Sequence, residues 1–383
     1  MRLPRFACLP VGMARNDIMN MKKYHLITFG CQQNVSDSER LAAYFEAQGY
    51  SPVFDDSEAD LVVVNACAVR QTAVDRIYGR MKFWKSRKEQ DPNFQVYVTG
   101  CVLPADRKKF METGIVDKIF ELNELPEVRL VGALVNFSVD EFFDVLPKYA
   151  PGKTAYIPIM TGCDHFCTYC AVPFTKGREK SRPMESITDE IKHAALKGYS
   201  EVMLLGQNVN SYGKDQGKLR FTELLQDVSK IDEISKINFL TSNPYDMPDD
   251  LIDEMANNFK ISRELHLPVQ AGDNEVLRKM NRKYTREQYL ELVRKLKEKI
   301  FELVLTTDII VGFCGETDEQ FQNTVELVEE VGFAKAYISR YSSRPGTVAA
   351  RFFKDDVLKE VKKQRWEILN GLINKKKGIE VRR

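Results

Sequence analysis

Net charge, histidines and long apolar runs are all scarce in this sequence. Across 383 residues, 56 Lys and Arg face 55 Asp and Glu, a formal charge of +1. A chain-wide polycation is therefore excluded, and any contact with nucleic acid must rest on local patches. Aliphatic runs such as Leu61 to Val64 end after four residues, far below the ~20 that a membrane-spanning helix needs. The first twenty residues carry three arginines and two prolines but no continuous apolar stretch, which excludes a signal-peptide core. Tandem repeats and low-complexity segments are absent. The histidines number four, and no convincing acid/base constellation stands out.

What remains is an ordinary globular composition, 43% apolar and 29% charged, which rules out disorder as the main state and at this length implies two or three domains. The chain reads as cytoplasmic. Cysteine is the abundant exception, with eight residues. In a reducing compartment, clustered cysteines act as metal ligands or reactive thiols rather than as disulfides. Residues 1–21, with Cys8, lack periodicity and are expected to be a disordered leader or the product of an upstream start codon.

From Tyr24 the pattern becomes regular. An apolar run, Tyr24 to Phe29, ends at Gly30-Cys31, and Ser36 with Glu39 in capping-box spacing predicts a helix to Gly49. A second strand, Leu61 to Val64, leads through Cys67 into a helix whose apolar positions Val74, Ile77, Tyr78 and Met81 fall at helical spacing. A third strand, Gln95 to Thr99, ends at Gly100-Cys101. The three cysteines are 36 and 34 residues apart, the length of one βα unit, so each follows a strand. In an open parallel sheet they meet at the carboxyl edge, where ligands bind. Three packed cysteines falling there by chance is the bland alternative.

Residues 121–153 read as the last elements of this first domain and a linker. Beyond them, strand candidates at 156–160, 201–205, 236–240, 264–268, 303–311 and 335–341 alternate with helical patterns such as Ile187 to Leu196 and Glu316 to Val331. Six such units predict a parallel barrel or most of one. Immediately after the first strand stands Gly162-Cys163-Asp164-His165-Phe166-Cys167-Thr168-Tyr169-Cys170. Structural zinc takes four ligands in a closed tetrahedron. Here a fourth local cysteine is missing, and His165 would have to fold back across a very short loop to replace it. Three thiolates instead suit a [4Fe–4S] cluster with one open iron, where a substrate or cofactor can be chelated.

The C-x3-C-x2-C spacing, with an aromatic before the last cysteine and a βα barrel around it, resembles the radical S-adenosylmethionine (SAM) superfamily. Thr28 to Glu39, Asn65-Ala66-Cys67-Ala68-Val69-Arg70, Thr99-Gly100-Cys101 and Cys163 through Arg182-Pro183 resemble, in order and spacing, the methylthiotransferases within it, over about residues 22–375. The words around the first two cysteines are closest to the branch that acts on N6-dimethylallyladenosine in tRNA. Gln33, Ala66 and Cys314 stand where relatives usually have Met, Thr and Pro. The family usually continues into an RNA-binding TRAM domain, near whose expected start this chain stops.

The resemblance implies an α/β fold, an N-terminal open parallel α/β sheet domain followed by a partial (β/α)6 radical SAM barrel. The boundaries expected are 22–150 and 151–371, with 372–383 a basic tail that opens the missing TRAM domain. It implies that Cys163, Cys167 and Cys170 hold the radical SAM [4Fe–4S] cluster and that Cys31, Cys67 and Cys101 hold an auxiliary one. Tyr169, Gly206, Gln207 and Asn208 are the expected SAM contacts, Tyr169 by stacking on the adenine. One SAM would supply a methyl group for the sulfur held at the auxiliary cluster. A second would give the 5′-deoxyadenosyl radical that removes hydrogen from C2 of the base beside the anticodon. Implied partners are the tRNA anticodon stem-loop, an electron donor such as a flavodoxin or ferredoxin, and iron–sulfur assembly or carrier proteins, with the enzyme a monomer.

Lys176, Arg178, Lys180 and Arg182 follow the cysteine loop with only Glu179 against them and are the expected RNA contacts. Arg80, Lys82, Lys85, Arg87 and Lys88, and the tail residues Lys375, Lys376, Lys377, Arg382 and Arg383, form two further basic groups. The first of these reads equally as a solvated helix face. Other readings stay open: methylthiolation of threonylcarbamoyladenosine in tRNA or of a ribosomal protein, a zinc-stabilised RNA-binding protein, or a redox protein using Cys167 and Cys170.

Overall fold

The computed structural model describes residues 22–67, 71–125 and 142–374. The expected leader with Cys8, the end of the second cysteine motif at 68–70, and the basic tail from Lys375 lie outside the described residues. The chain divides into two compact units, one up to Gly152 and one from Lys153.

The first unit contains β1 (Lys23–Phe29), α1 (Gln32–Ala47), β2 (Ser51–Pro52), β3 (Leu61–Cys67), α2 (Gln71–Gln90), β4 (Gln95–Cys101), α3 (Pro104–Glu112) and β5 (Lys118–Ile119). Its sheet is parallel throughout, in the order β2-β1-β3-β4-β5. Both faces are buried, which is why the central strand β3 opens on the continuous apolar run Leu61 to Val64 rather than an alternating one. Val62, Val64, Val96 and Val98 point to one face against Ile77, Met81, Trp84 and Phe110. Leu61 and Val63 point to the other against Leu41, Tyr44, Phe45 and Phe120. On α2, Val74, Ile77 and Met81 are buried as expected, but Tyr78 is exposed.

Helix α1 starts earlier than the sequence pattern predicts. Cys31 is its N-cap, and the Cys31 backbone N–H donates to Asn34 Oδ1 at 3.2 Å. Ser36 and Glu39 lie inside the helix and are buried. Glu39 is used elsewhere, accepting the Ala150 N–H at 2.9 Å. A long-range contact has taken the group that the capping pattern reserved for the helix end.

The second unit contains β6 (Thr154–Pro158), β7 (Met160–Thr161), α4 (Val172–Thr175), β8 (Lys180–Ser181), α5 (Met184–Leu196), β9 (Glu201–Leu205), α6 (Phe221–Ser229), β10 (Lys236–Phe239), α7 (Asp249–Asn257), β11 (Glu264–His266), α8 (Asn274–Lys279), α9 (Arg286–Lys299), β12 (Val304–Val311), α10 (Asp318–Val331), β13 (Lys335–Arg340), α11 (Val348–Phe352) and α12 (Lys359–Ile373). Two parallel arcs, β6-β9-β10 and β11-β12-β13, are linked by a parallel bridge between Ile237 and Ile261. Spatial order thus follows sequence order, as in a partial (β/α)6 barrel. Helices α9 and α10 begin with capping boxes, Thr285 with Gln288 and Thr317 with Gln320. Each satisfies two otherwise orphaned N–H groups and sets where the helix leaves its strand. All βα loops therefore emerge at one end of the barrel, and the cysteine loop follows its first strand. Among the described residues no helix is long and apolar enough to cross a membrane.

Candidate metal centres

In the first unit the strand order places a topological switch point between β1 and β3, where the connections diverge and ligands characteristically bind. Phe29 pairs with Ala66, and Cys67 pairs directly with Cys101. Cys31, two residues beyond Phe29, therefore shares one sheet edge with Cys67 and Cys101. Cys31 and Cys67 are half-buried and Cys101 is buried, and none of the three is in a disulfide.

The edge is shaped by a small polar network. Asn34 Nδ2 donates to Asn65 Oδ1 at 2.9 Å, and Asn65 Nδ2 donates to Asn34 O at 2.9 Å and Ser38 Oγ at 3.0 Å. Ser38 Oγ lies 2.7 Å from Thr28 Oγ1. Gly100 has φ of +95°, and a Cβ there would lie 2.5 Å from both Ala66 O and Asn65 Oδ1. Only glycine lets the strand turn Cys101 beside this network. Asn65→Ala strands the buried Asn34 amide, which costs about 1–3 kcal/mol, and loosens the mounting of Cys31. The expected loss of metal affinity is about 10–100-fold, read as iron retained under chelator challenge, with thermal melting reporting the stability change.

In the second unit the cysteine loop is held from two sides. Cys163 N–H donates to Gly177 O at 3.3 Å, and Gly162 has φ of +77°, with a Cβ position only 1.9 Å from Arg178 O. On the other side, Thr168 N–H donates to Met280 O at 3.1 Å and Thr168 Oγ1 to Lys279 O at 2.8 Å. Asn281 Nδ2 donates to the carbonyls of His165 and Phe166 at 3.2 and 3.0 Å. Phe166 and Asn281 are both non-glycine residues in the left-handed region, with φ of 49° and 57°. Such conformations persist only when surrounding contacts over-determine them.

The thiols of this loop feel one another. Burial, aided by the neighbouring Cys167, pushes Cys163 up to about 11. Burial, aided by Cys167 and Cys163, pushes Cys170 up to about 12. A metal centre is what makes such thiols give up their protons. Among the described residues no group of three His, Cys, Asp or Glu side chains could hold a metal ion as it stands. Three soft sulfur donors on one short loop, with no fourth cysteine beside them, suit an iron–sulfur cluster with one open iron. His165 is oriented by its own polar contacts. Its Nε2 lies 2.6 Å from Asp246 Oδ2, to which Asn208 Nδ2 also donates at 2.8 Å. Burial alone would raise the Asp246 carboxyl, but His165, Asn208 and Lys214 hold it below the usual carboxylate range.

Gly206 follows β9, where a Cβ would lie 2.6 Å from Met160 Cγ. Beyond it, Gln207 Oε1 and Asn208 Oδ1 are buried without a hydrogen-bond partner, as is Ser242 Oγ. Thr241 Oγ1 donates to Gly206 O at 2.6 Å, so the loops after β9 and β10 touch. Buried polar groups are normally satisfied, and orphaned ones at the end of barrel strands suit a polar cofactor such as SAM. Tyr169 retains some exposure, and its ring meets Phe313 edge-on at 6.5 Å. Cys314 is buried beside Tyr341, a packed residue as its sequence context suggests.

The basic residues separate on inspection. Arg182 is buried, donating to Pro158 O at 2.6 Å and Ser186 Oγ at 3.1 Å and paired with Glu190 at 2.8 Å. It braces the barrel and does not face RNA, a correction to its expected role. Arg178 is exposed but forks onto Asp164 at 2.6 and 3.0 Å, while Lys180 is exposed and Lys176 half-buried. In the 80–88 run, Arg80 pairs with Asp56, Arg87 donates to Ala59 O and Lys88 pairs with Asp117. Of the five basic residues in that run, Lys82 and Lys85 are exposed. Sequence reasoning missed Asp246 and the Lys279 to Arg282 segment, which reach the cysteine loop from more than 75 residues away with no motif to mark them.

Two family models match the chain: the Radical SAM superfamily over residues 157–328 and Uncharacterized protein family UPF0004 over residues 23–121. The tRNA-2-methylthio-N(6)-dimethylallyladenosine synthase of Carboxydothermus hydrogenoformans is 43% identical over 378 residues, covering 95% of this chain and 85% of its own length. The enzyme of the same name from Bacillus thuringiensis is also 43% identical, over 92% of this chain and 72% of its own length. Among solved structures, the radical SAM methyltransferase TsrM of Kitasatospora setae matches with a TM-score of 0.57 at 15% identity, over 86% of this chain and 77% of its own. At that identity the likeness speaks for the fold alone. Identity at this level across nearly the whole chain, with a radical SAM domain and cysteines at both sites, has one consequence: the chain belongs to the tRNA-2-methylthio-N(6)-dimethylallyladenosine synthase family of radical SAM enzymes.

Proposed function

We propose that this protein inserts a methylthio group at C2 of N6-dimethylallyladenosine next to the anticodon of tRNA, in the cytoplasm and as a monomer. The observation that carries this reading is the 43% identity to enzymes so named over 95% of the chain. Cys163, Cys167 and Cys170 would hold the radical SAM [4Fe–4S] cluster, and Cys31, Cys67 and Cys101 the auxiliary one, in domains spanning 22–150 and 151–371. Bound there with SAM, the clusters supply radical chemistry for an unactivated C–H bond, which offers no acidic proton to a base.

The chain's own residues orient that chemistry. Thr168 and Asn281 fix the loop, Gln207 and Asn208 leave buried carbonyl oxygens unpaired just beyond β9, and Tyr169 stands directly before Cys170 with its ring edge-on to Phe313. Lys176, Arg178 and Lys180 are the RNA contacts that remain once Arg182 is assigned to the barrel. A looped-out base is the accessible RNA target, and phosphate contact by these residues makes binding salt-sensitive. The electron comes from a low-potential donor such as a flavodoxin or ferredoxin, and the clusters from iron–sulfur assembly or carrier proteins.

The test is a methylthiolation assay of the reconstituted protein on three anticodon stem-loops, bearing dimethylallyladenosine, threonylcarbamoyladenosine or plain adenosine, with nucleosides identified by mass spectrometry. The 2-methylthio product is expected from the dimethylallyl substrate. Product from the threonylcarbamoyl substrate alone would overturn the assignment.

A further inference from the structure

Arg282 reaches the cysteine loop through its side chain. Its Nη1 donates to Cys167 Sγ at 3.4 Å, its Nη2 to Pro268 O at 3.2 Å and Asn243 Oδ1 at 3.5 Å, and its Nε to Tyr284 OH at 2.9 Å. The guanidinium also lies 5.0 Å over the Tyr284 ring. The residue keeps some exposure along its length, but its charged end is enclosed. Its hydrogen-bond partners are a thiol, a phenol, an amide and a carbonyl, with no carboxylate among them. An enclosed cation without a facing anion is strongly unfavourable. The group in this geometry that can become an anion, once metal is bound, is Cys167.

We infer that Arg282 is the counter-ion of the metal-bound Cys167 thiolate, a positioning residue whose hydrogen bond to Sγ raises the reduction potential of the cluster held by Cys163, Cys167 and Cys170. This rests on the cluster assignment proposed above. Reduction brings one electron, from a low-potential one-electron donor, and adds one negative charge to the cluster. A fixed cation and an N–H···S bond stabilise that more negative state over the oxidised one, since hydrogen bonds to sulfur and net charge set such potentials. Arginine suits the task because it stays protonated and its planar fork is held in direction by Pro268, Asn243 and Tyr284.

The test uses the full chain with Cys31→Ala, Cys67→Ala and Cys101→Ala, so that one cluster is observed. Arg282→Met, Arg282→Gln and Arg282→Lys are made in that parent. Iron content is measured first, then reduction by potentiometric titration followed by electron paramagnetic resonance. The methionine and glutamine variants are expected to hold the cluster but to shift the reduction equilibrium roughly tenfold toward the oxidised form, about 59 mV for one electron. The lysine variant should recover part of the shift. A glutamine or methionine variant with full iron and the parent midpoint overturns the inference. A parent without iron overturns the cluster assignment instead, and the inference with it. Should the methionine variant not hold iron, the glutamine variant decides.

Discussion

Alanine in place of any one of Cys163, Cys167 and Cys170 reduces both methylthiolation and reductive cleavage of SAM to background, and lowers iron from about eight to about four atoms per chain. The expectation follows from how little else at this loop could substitute. None of the three cysteines is in a disulfide, and the loop offers no fourth cysteine. With one thiolate removed, two remain for a cluster that needs three from the protein. The backbone cradle does not depend on the thiols: Cys163 N–H to Gly177 O, Thr168 N–H to Met280 O and Cys170 N–H to Cys167 O survive the substitution. Each variant should therefore fold, with a stability change of about 1 kcal/mol or less at these half-buried positions. Iron and sulfide analysis together with chromatography of 5′-deoxyadenosine measures the effect. Retained SAM cleavage in Cys167→Ala would remove this loop from the mechanism.

Alanine at Cys31, Cys67 or Cys101 gives a different phenotype of comparable size. Methylthiolation is lost while 5′-deoxyadenosine is still formed, because these residues belong to a separate compact unit with its own core. Cys67 and Cys101 are register partners on neighbouring parallel strands, and Cys31 caps the helix that leaves the third. Three positions on one sheet edge cannot be replaced from within the loops, since the polar network of Asn34, Asn65 and Ser38 already commits its donors to itself. The measurement is a paired assay of both products on one preparation after cluster reconstitution. Full methylthiolation by Cys101→Ala protein would sink the two-cluster assignment.

Much of this was legible in the residues because the signals were local. The apolar strands, their spacing and the glycine-cysteine turns follow from side-chain period and βα geometry, so the parallel sheet and six barrel strands could be read directly. The start of α1 could not. Ser36 and Glu39 satisfy the local capping rule, but Glu39 is claimed by Ala150, a contact between residues 111 positions apart. The same limit applied to charge. Lys180 and Arg182 are neighbours in sequence with the same sign, yet one is exposed and the other is buried against Glu190.

The sequence by itself determined where six cysteines stand, three at the ends of strands one βα unit apart and three within one short loop, because strand period and local spacing are properties of the chain itself. Only the tertiary structure decided what surrounds those donors. Arg282 on Cys167, Asn281 on the loop carbonyls and Asp246 on His165 come from distant segments, brought together by barrel closure. Burial and pairing are set by the whole fold, and no local pattern encodes which of many similar charges will be enclosed.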